Sequence, residues 1–456
     1  MNATALTLPV VTIQDSFPQV IQDVEDGLVP LDKFWVSCYK ASEPSVHAKI
    51  NAELDERDRN LVVLKPSEGE VEVVKDSNGT YRVSCKPLGV PPTKVVTPVQ
   101  EYKDEERSNP TKPHRITAFD VSPDSSRFAT GYLDGSVFLY PTKAFKHLRQ
   151  TLIPTTIDVT KSKTPSRPHL SGVSSLKFFP SSRVLLSSGL DFSLTILPAE
   201  LPEASSASSS RIQPVRTMRA HTRTVTDTAI IAQGRNIVSS SLDSAIKLWD
   251  VSSGEVITSI YAQSPISSMS LGDRLIAPPD GEESIPPPAT DSREIPETGT
   301  KVVFCGLQSG KFEMLDLGFK KSVYTSAAGS TGALNTIAYS QPMNLLATGS
   351  SKDLVTVYDT RSLDTPLTSF KRLDTSIEGL AFIRRAGDQE SVVELAVATS
   401  DGLPYIASVV PEGPMVDAEL VGVDCDSVRN VTVREDSGRF DVWSASDDGI
   451  VRRYAF

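Results

Sequence analysis

Paired cysteines, an excess of basic residues and long apolar runs are all missing from this sequence. Its four cysteines lie far apart without a C-x-x-C pair, which argues against a zinc site and a disulfide framework. The formal net charge is −11, so nucleic acid, whose backbone attracts clustered Lys and Arg, is not the expected partner. No stretch approaches the roughly 18 apolar residues of a membrane span, and the start lacks a secretory signal pattern. We expect a cytoplasmic and nuclear protein with free thiols and a basic protein partner.

Turn-forming residues are abundant instead. The 456 residues include 32 prolines and 26 glycines, which favours short strands over long helices. From about residue 110 one pattern recurs: an apolar-alternating strand, a turn, a strand of small residues, an Asp-containing turn and a third strand. The clearest copy, AHTRTVTDTAIIAQGRNIVSSSLDSAIKLWD at 220–250, has its His, turn Asp and closing Trp-Asp in WD-repeat order. Four strands per unit are typical of a propeller blade.

Seven turns align in this way, and they give the predicted blade count. They are LDGS at 133–136, LDFS at 190–193, LDSA at 242–245, QSGK at 308–311, KDLV at 352–355, SDGL at 400–403 and DDGI at 447–450. The predicted fold is therefore all-β, a seven-bladed WD-repeat β-propeller with a small N-terminal β-rich domain. We assign the turn aspartates to structure, because Asp commonly holds a turn through hydrogen bonds to its backbone. They are Asp134, Asp191, Asp243, Asp353, Asp401 and Asp448.

A buried polar network is predicted in the third blade. His221 precedes the first strand and is placed to bond Asp243, with Ser239 or Ser241 completing the chain and Trp249 anchoring the other side. A His, an Asp and a Ser also suggest a hydrolase triad, but the spacing is that of the blade and no G-x-S-x-G elbow is present. We therefore expect no enzyme activity, no cofactor and no metal.

The other blades keep only parts of this network. His114 and His169 stand ahead of the first strands of blades one and two, whereas later blades lack the His. The closing Trp is replaced in four blades, by Tyr140, Ile196, Tyr358 and Tyr454.

The N-terminal region is predicted to be a separate unit, with residues 1–105 as domain and closing strand and 106–456 as the propeller. Its strand-like runs are divided by turn signals such as Ser77-Asn78-Gly79, and 47–60 is expected to form an amphipathic helix. The last blade has only three strands at the C-terminus, so an N-terminal strand must complete it. The sequence offers 81–88 or 94–99 for this position.

Two low-complexity stretches, 201–210 and 274–299, are expected to be mobile surface loops, since their Pro, Ser and Glu bury little apolar area. A docking role for the second stays open.

Four segments resemble the proteasomal ATPase-associated factor family. They are FWVSCYK at 34–40, DTAIIAQGRNIVSSSLDSAIKLWD at 227–250, LVGVDCDSV at 420–428 and DDGIVRRY at 447–454. The resemblance implies an assembly chaperone of the proteasome 19S regulatory particle base that binds the C-terminal domain of an ATPase-ring subunit. It further implies steric, transient action. We expect the chain to be a monomer when free. Which subunit is bound is not implied.

Candidate partner-binding residues come from the loops that link blades and from the Asp turns, where a rigid scaffold presents variable side chains. They are Asp227, Asp374, Glu378, Asp424, Asp426, Asp447 and Arg223. Arg452 and Arg453 are alternatives, with an intramolecular role favoured. Because propellers host many functions, a scaffold or substrate receptor of a ubiquitin ligase or another complex remains the competing hypothesis.

Overall fold

The structure is a computed structural model. It describes residues 5–58, 61–76, 79–144, 152–201, 211–275, 289, 291–327, 332–385, 392–410, 413–436 and 439–456. The expected loop at 201–210 lies outside these residues except for its first position, as do Ser77 and Asn78 of the expected hairpin turn. Among the described residues, no helix is long and apolar enough to cross a membrane.

The described part of the N-terminal region contains nine strands and one helix. They are β1 Leu6–Thr7, β2 Val10–Ile13, α1 Phe17–Glu25, β3 Leu31–Tyr39, β4 Val46–Leu54, β5 Val62–Glu68, β6 Val71–Lys75, β7 Tyr81–Cys85, β8 Val90–Val96 and β9 Gln100–Lys103. Strands β2 to β5 form one antiparallel sheet in sequence order. Helix α1 packs on its inner face, where Phe17 lies 5.9 Å from Phe34 and 6.0 Å from Tyr81 between ring centroids.

The helix expected over 47–60 is wrong, because β4 occupies most of that range. Ala48, Ile50 and Ala52 are buried while the residues between them face outward. This period of two fits a strand with one buried face, and pairing to both neighbours satisfies its backbone.

Four sheets follow, which we number as blades one to four. Blade one comprises β10 Ile116–Val121, β11 Arg127–Tyr132, β12 Val137–Pro141 and β14 Thr164–Ser166, with β13 Thr155–Asp158 lying elsewhere. Blade two comprises β15 Val173–Phe178, β16 Val184–Gly189, β17 Ser193–Pro198 and β18 Arg216–Arg219. Blade three comprises β19 Val225–Ile231, β20 Asn236–Ser241, β21 Ala245–Asp250 and β22 Glu255–Tyr261. Blade four comprises β23 Ile266–Asp273, β24 Lys301–Leu307, β25 Phe312–Asp316 and β26 Lys321–Thr325, with a 3-10 helix at Pro296–Thr300.

Three more blades complete the chain. Blade five comprises β27 Leu334–Ser340, β28 Leu345–Ser350, β29 Val355–Asp359 and β30 Ser362–Lys371. Blade six comprises β31 Ile377–Arg385, β32 Val392–Thr399, β33 Tyr405–Val410 and β34 Met415–Leu420. Blade seven contributes β35 Val428–Asp436, β36 Arg439–Ser446 and β37 Ile450–Ala455. Each of the seven aligned turns joins the second and third strands of its blade, as predicted.

The blades close into a ring. The first strand of each blade contacts the first strand of the next, and β35 of blade seven contacts β10 of blade one. A buried apolar cluster fills every gap between neighbouring blades. The fold is a seven-bladed β-propeller, as the turn spacing predicted.

The fourth strand of blade seven comes from the N-terminal region. Strand β9 pairs antiparallel with β37, and Arg452 of β37 lies 3.3 Å from Glu101 of β9. The two segments offered for this position by the sequence, 81–88 and 94–99, pair elsewhere: β8 adds in parallel to β34, and β7 and β6 extend blade six further. The closing strand therefore lies immediately after the two segments considered.

Parallel additions cover the outer edges of three blades. Strand β1 pairs with β30 of blade five, β8 with β34 of blade six, and β13 with β9 of blade seven. Glu419 links the start of the chain to blades five and six. Its carboxylate accepts a hydrogen bond of 3.0 Å from the Val11 backbone N–H and another from the buried Arg372 guanidinium. Arg372 also donates to the Pro9 carbonyl. These contacts hold the start of the chain against blades five and six.

The polar network predicted in blade three is present. His221 Nδ1 lies 2.9 Å from Asp243, and His221 Nε2 lies 2.7 Å from Ser239. Trp249 Nε1 donates to the same Ser239 oxygen at 2.8 Å. Burial lowers the pKa of His221 despite the neighbouring Asp243, which favours the neutral ring.

The histidines that precede the first strands of blades one and two differ from each other. His169 of blade two makes an equivalent network with Asp191 at 3.0 Å and Ser187 at 2.6 Å. His114 of blade one is exposed and contacts Arg107. The Arg107 guanidinium forms an ion pair with Asp134 at 3.2 Å and lies over the rings of Tyr132 and Phe138. His114 does stand ahead of the first strand of blade one, but Arg107 holds the turn aspartate of that blade, as a histidine does in blades two and three.

Part of the expected loop at 274–299 is ordered. The buried Asn236 side chain accepts from the Ile295 backbone at 2.8 Å and donates to the Arg293 carbonyl at 3.1 Å. This single amide fixes the segment before the 3-10 helix, so mobility there is a wrong expectation. Residues 276–288 and 290 lie outside the described residues.

Candidate partner-binding face

The loops between blades and the Asp turns meet on one face of the ring, which we call the loop face. The Asp447 backbone donates to the Ser427 carbonyl at 2.9 Å, which joins a turn of blade seven to the loop preceding its first strand. Other Asp turns meet the loops through their side chains. The Thr222 backbone N–H donates to the Asp243 carboxylate, and the Asp374 backbone N–H donates to the Asp353 carboxylate at 3.0 Å. All seven candidate residues lie in these loops or in the first three residues of a first strand.

Every first strand has a register shift at its second residue. Such a bulge redirects a side chain at the end of a strand, and here the seven redirected residues are all polar. They are Thr117, Ser174, Thr226, Ser267, Asn335, Glu378 and Arg429. The last six line a central cavity of about 360 Å³.

Two candidates, Asp227 and Glu378, lie at the wall of this cavity. Asp227 accepts a hydrogen bond of 2.9 Å from Ser175 of the neighbouring blade. Glu378 lies 3.3 Å from the guanidinium of Arg429. The structure thus places both carboxylates at the mouth of the ring, each with an intramolecular contact.

Asp447 is not an exposed carboxylate. Only 6% of it is accessible, and its two oxygens each accept a 2.8 Å hydrogen bond from Arg429. Arg115 of blade one approaches the same carboxylate at 3.6 Å. The Asp447 hydrogen bonds and charge, joined by Glu378, raise the pKa of Arg429 despite its partial burial. Asp447 therefore already has an internal cation.

Asp424 and Asp426 form a carboxylate cluster with an N-terminal residue. Burial and the nearby Asp448, Asp447 and Asp424 raise the pKa of Asp426. Burial and Asp424 also raise the pKa of Asp15, which follows β2. Asp424 is exposed and Asp426 half-buried. We call Asp15, Asp424 and Asp426 the acidic corner of the loop face.

The remaining two candidates lie apart from the acidic corner. Asp374 is exposed with a φ of 55° and donates its backbone N–H to Asp353. Arg223 is exposed, and its backbone carbonyl accepts a hydrogen bond of 3.1 Å from the Ser241 hydroxyl. Among the described residues, no hydrogen bond or ion pair connects either one to the corner.

Arg452 and Arg453 have the intramolecular role that was favoured. Arg452 is buried and lies 2.7 Å from Asp448 and 3.3 Å from Glu101. Arg453 forms an ion pair with Asp441 and donates a hydrogen bond of 3.1 Å to the side-chain oxygen of Gln100. Both arginines therefore help to hold the closing strand β9.

Sequence reasoning missed Arg429 and Asp15. Aligning the first strands by their second residue would have found Arg429, since it occupies in blade seven the place of Glu378 in blade six. No local signal marks Asp15, because its position depends on how the N-terminal region packs against blade seven.

The described residues contain no group of three or more His, Cys, Asp or Glu side chains able to hold a metal ion. The Ser239 hydroxyl beside His221 is fully buried and already accepts the Trp249 N–H. The His, Asp and Ser of blade three are therefore a structural network with no access for a substrate.

Comparison with known protein families supports the repeat assignment of blades one to three. A profile of the WD domain, G-beta repeat family matches residues 107–140, 161–196 and 212–250. The chain contains WD40 repeats. The three matches end with the third strands of blades one, two and three, and they include both complete His-Asp networks. WD40 domains mediate protein–protein interactions, so a scaffold with a protein partner is the general function. A search of curated proteins found no match.

Proposed function

We propose that this protein is a non-catalytic assembly chaperone of the proteasome 19S regulatory particle base. It binds the C-terminal domain of an ATPase-ring subunit through the loop face, acts in the cytoplasm and nucleus, and is a monomer when free. Binding covers the docking surface of the ATPase subunit, so the subunit cannot dock prematurely while the 19S base is being assembled. No bond is made or broken in this mechanism.

One observation carries the proposal. Asp424 and Asp426 fall within the segment 420–428, one of those that resemble the proteasomal ATPase-associated factor family, and they are accessible on the loop face beside Asp15. Burial and the charge of Asp424 raise the pKa of both Asp426 and Asp15, so an approaching cation is favoured because it relieves this repulsion. A partner surface rich in Lys and Arg fits this corner.

The other candidates have different parts in the proposed interface. Asp374 and Arg223 are exposed and contact the partner directly, whereas Asp227 and Glu378 line the cavity that the partner covers. Asp447 positions Arg429 at the mouth. The division of the chain at residue 105 is part of the same proposal: residues 1–105 supply Asp15 and the closing strand, and 106–456 supply the ring.

The test is capture of isolated ATPase C-terminal domains by the purified protein. Each ATPase-ring subunit's C-terminal domain is immobilised separately, and binding is measured by biolayer interferometry. We expect one domain to bind in preference to the others, and expect charge reversal at the acidic corner to weaken that binding. Failure of every domain to bind would contradict the proposal.

The competing function is a scaffold or substrate receptor of a ubiquitin ligase. Affinity purification from cells followed by mass spectrometry separates the two: enrichment of ATPase-ring subunits supports the chaperone, and enrichment of ligase subunits without them supports the alternative. No observation on the loop face favours the ligase.

A further inference from the structure

The outer face of the N-terminal sheet is separate from the loop face candidates. The first six residues of the segment FWVSCYK lie in β3 and alternate strictly: Phe34, Val36 and Cys38 are fully buried beneath the sheet. The core explains these three residues. It does not explain Trp35, which points outward with 48% of its surface accessible.

Exposure of Trp35 is unusual within this chain. The other two tryptophans, Trp249 and Trp443, are 1% and 0% accessible. An exposed tryptophan on a regular strand gives up apolar burial, and tryptophan is strongly enriched among residues that carry binding energy at interfaces. Trp35 is therefore the feature of this sheet that most needs a partner.

Basic and polar side chains surround Trp35. The Lys49 ammonium lies over the Trp35 ring at 5.1 Å, and Lys33 lies on the same face two residues before Trp35. His47 lies 5.8 Å from the Tyr39 ring and 2.8 Å from the Ser37 hydroxyl. Within the part of the chain that the structure describes, no carboxylate lies within 4 Å of the Lys33 or Lys49 ammonium.

Acidic residues on this face lie toward the β5 side. Glu53 pairs with Lys65 across β4 and β5, and Glu68 stands opposite Lys49 in register. The region around Trp35 is therefore locally basic on a chain whose net charge is −11. We call Lys33, Trp35, Tyr39, His47 and Lys49 the tryptophan face.

We propose that the tryptophan face is a second binding surface, which takes an acidic polypeptide segment carrying an apolar side chain. The apolar side chain packs on the exposed part of the indole, while carboxylates of the segment pair with Lys33 and Lys49. A polypeptide fits better than a nucleic acid, because strands β2 to β5 contain no arginine and one of their lysines is held by Glu53.

The experiment uses the full chain and a defined probe. The probe is a nonapeptide of eight glutamates with a central leucine, labelled with fluorescein and titrated by fluorescence anisotropy. Trp35→Ala should weaken binding by about tenfold or more, whereas Trp35→Phe, which keeps an aromatic ring, should stay within about threefold. Tyr261→Ala removes a 68% exposed ring from blade three and should change nothing.

Charge reversal gives a second, independent measurement. Lys33→Glu with Lys49→Glu should abolish detectable binding. The matched control, Lys112→Glu with Lys352→Glu, makes the same change of charge at exposed positions outside the sheet and should bind normally. Melting temperatures of all variants check that the fold is retained.

Quenching of tryptophan fluorescence by acrylamide locates the contact, because only Trp35 is accessible in the free protein. The unlabelled peptide should protect Trp35 from quenching. Absence of binding, or equal binding to Trp35→Ala, would overturn the proposal. Protection by a 15-nucleotide oligothymidylate in place of the peptide would make the face a nucleic acid site, and protection that grows with protein concentration would make it a self-association surface; either result also overturns the proposal.

Discussion

The guanidinium of Arg429 donates two 2.8 Å hydrogen bonds to the carboxylate of Asp447, and thereby ties the first strand of blade seven to its Asp turn. Blade seven is the blade assembled from both ends of the chain, with β9 as its fourth strand. The pair therefore stabilises the blade whose assembly closes the ring.

Replacing Arg429 should destabilise the fold. In Arg429→Ala the remaining ion-pair partner of the buried Asp447 among the described residues is Arg115 at 3.6 Å, and we expect a loss of about 1–3 kcal/mol, the usual cost of a stranded buried polar group. Urea unfolding measures the change in the free energy of unfolding. Arg223→Ala, at an exposed arginine of the same face, is the control and should stay within about 0.5 kcal/mol of the unaltered protein. Equal losses in both variants would show that the ion pair is not stabilising.

The acidic corner should affect binding and not stability. Asp424→Lys with Asp426→Lys should weaken capture of the ATPase C-terminal domain without lowering the melting temperature, because the acidic neighbours of Asp426 repel its carboxylate in the free protein and charge reversal removes that repulsion. Glu70→Lys with Glu72→Lys makes the same change of charge at exposed positions around β6 and is the control. Normal capture by the corner variant would remove these residues from the interface.

Ionic strength should act mainly on association. If the acidic corner steers a basic partner, raising the salt concentration should slow association more than it speeds dissociation. Biolayer interferometry at several salt concentrations separates the two rates. An association rate independent of salt would mean that shape, and not charge, guides the encounter.

His221 and His114 should behave differently on truncation. His221→Ala removes the partner of Asp243 and Ser239 inside blade three, so we expect a loss of about 1–3 kcal/mol in the free energy of unfolding. His114→Ala is the natural control, since that ring is exposed and Arg107 already holds Asp134. Capture of the partner should be unchanged in both variants once they are folded. A loss for His114→Ala as large as for His221→Ala would contradict the assignment of the two rings.

Much of the ring could be predicted because its signals are local. An Asp turn places its aspartate next to the backbone that it holds, as Asp448 does with the Ile450 N–H at 2.9 Å. Repetition of that turn gave the number of blades, and the order of His221, Asp243 and Trp249 gave the network.

What could not be predicted depends on contacts between distant parts of the chain. Whether 94–99 or β9 closes blade seven is decided by Arg452 and Glu101, which are 351 positions apart. The burial of Asp447 likewise depends on Arg429, which a turn motif does not reveal. The strand over Val46–Leu54 could not be predicted for a related reason: its few apolar positions also fit an amphipathic helix, and pairing with β3 and β5 decides between the two.

Asp353 should make stability fall as pH rises from about 4 to about 6. Its Oδ2 accepts the backbone N–H groups of Arg372 and Asp374, while its buried Oδ1 has no hydrogen-bond partner among the described residues. Burial, which outweighs those two hydrogen bonds, raises the pKa of Asp353 to about 6. The folded protein then binds this proton more tightly than the unfolded chain, whose ordinary aspartate pKa is about 3.9. The contribution is therefore complete below that value and is lost as pH rises through about 6.

Asp353→Asn should remove this pH dependence, because the amide oxygen still accepts both backbone hydrogen bonds and the amide N–H₂ carries no charge. Urea unfolding at several pH values between 4 and 7 should show the variant gaining stability relative to the unaltered protein as pH rises. Asp243→Asn should show no such trend over this range: burial there is outweighed by hydrogen bonds from Thr222, His221 and Ala245, which lower the pKa of Asp243, so the contribution of its carboxylate is complete above the ordinary aspartate pKa of about 3.9 and is lost only below it. Parallel pH profiles for the two variants would mean that the carboxylate of Asp353 is as well satisfied as that of Asp243.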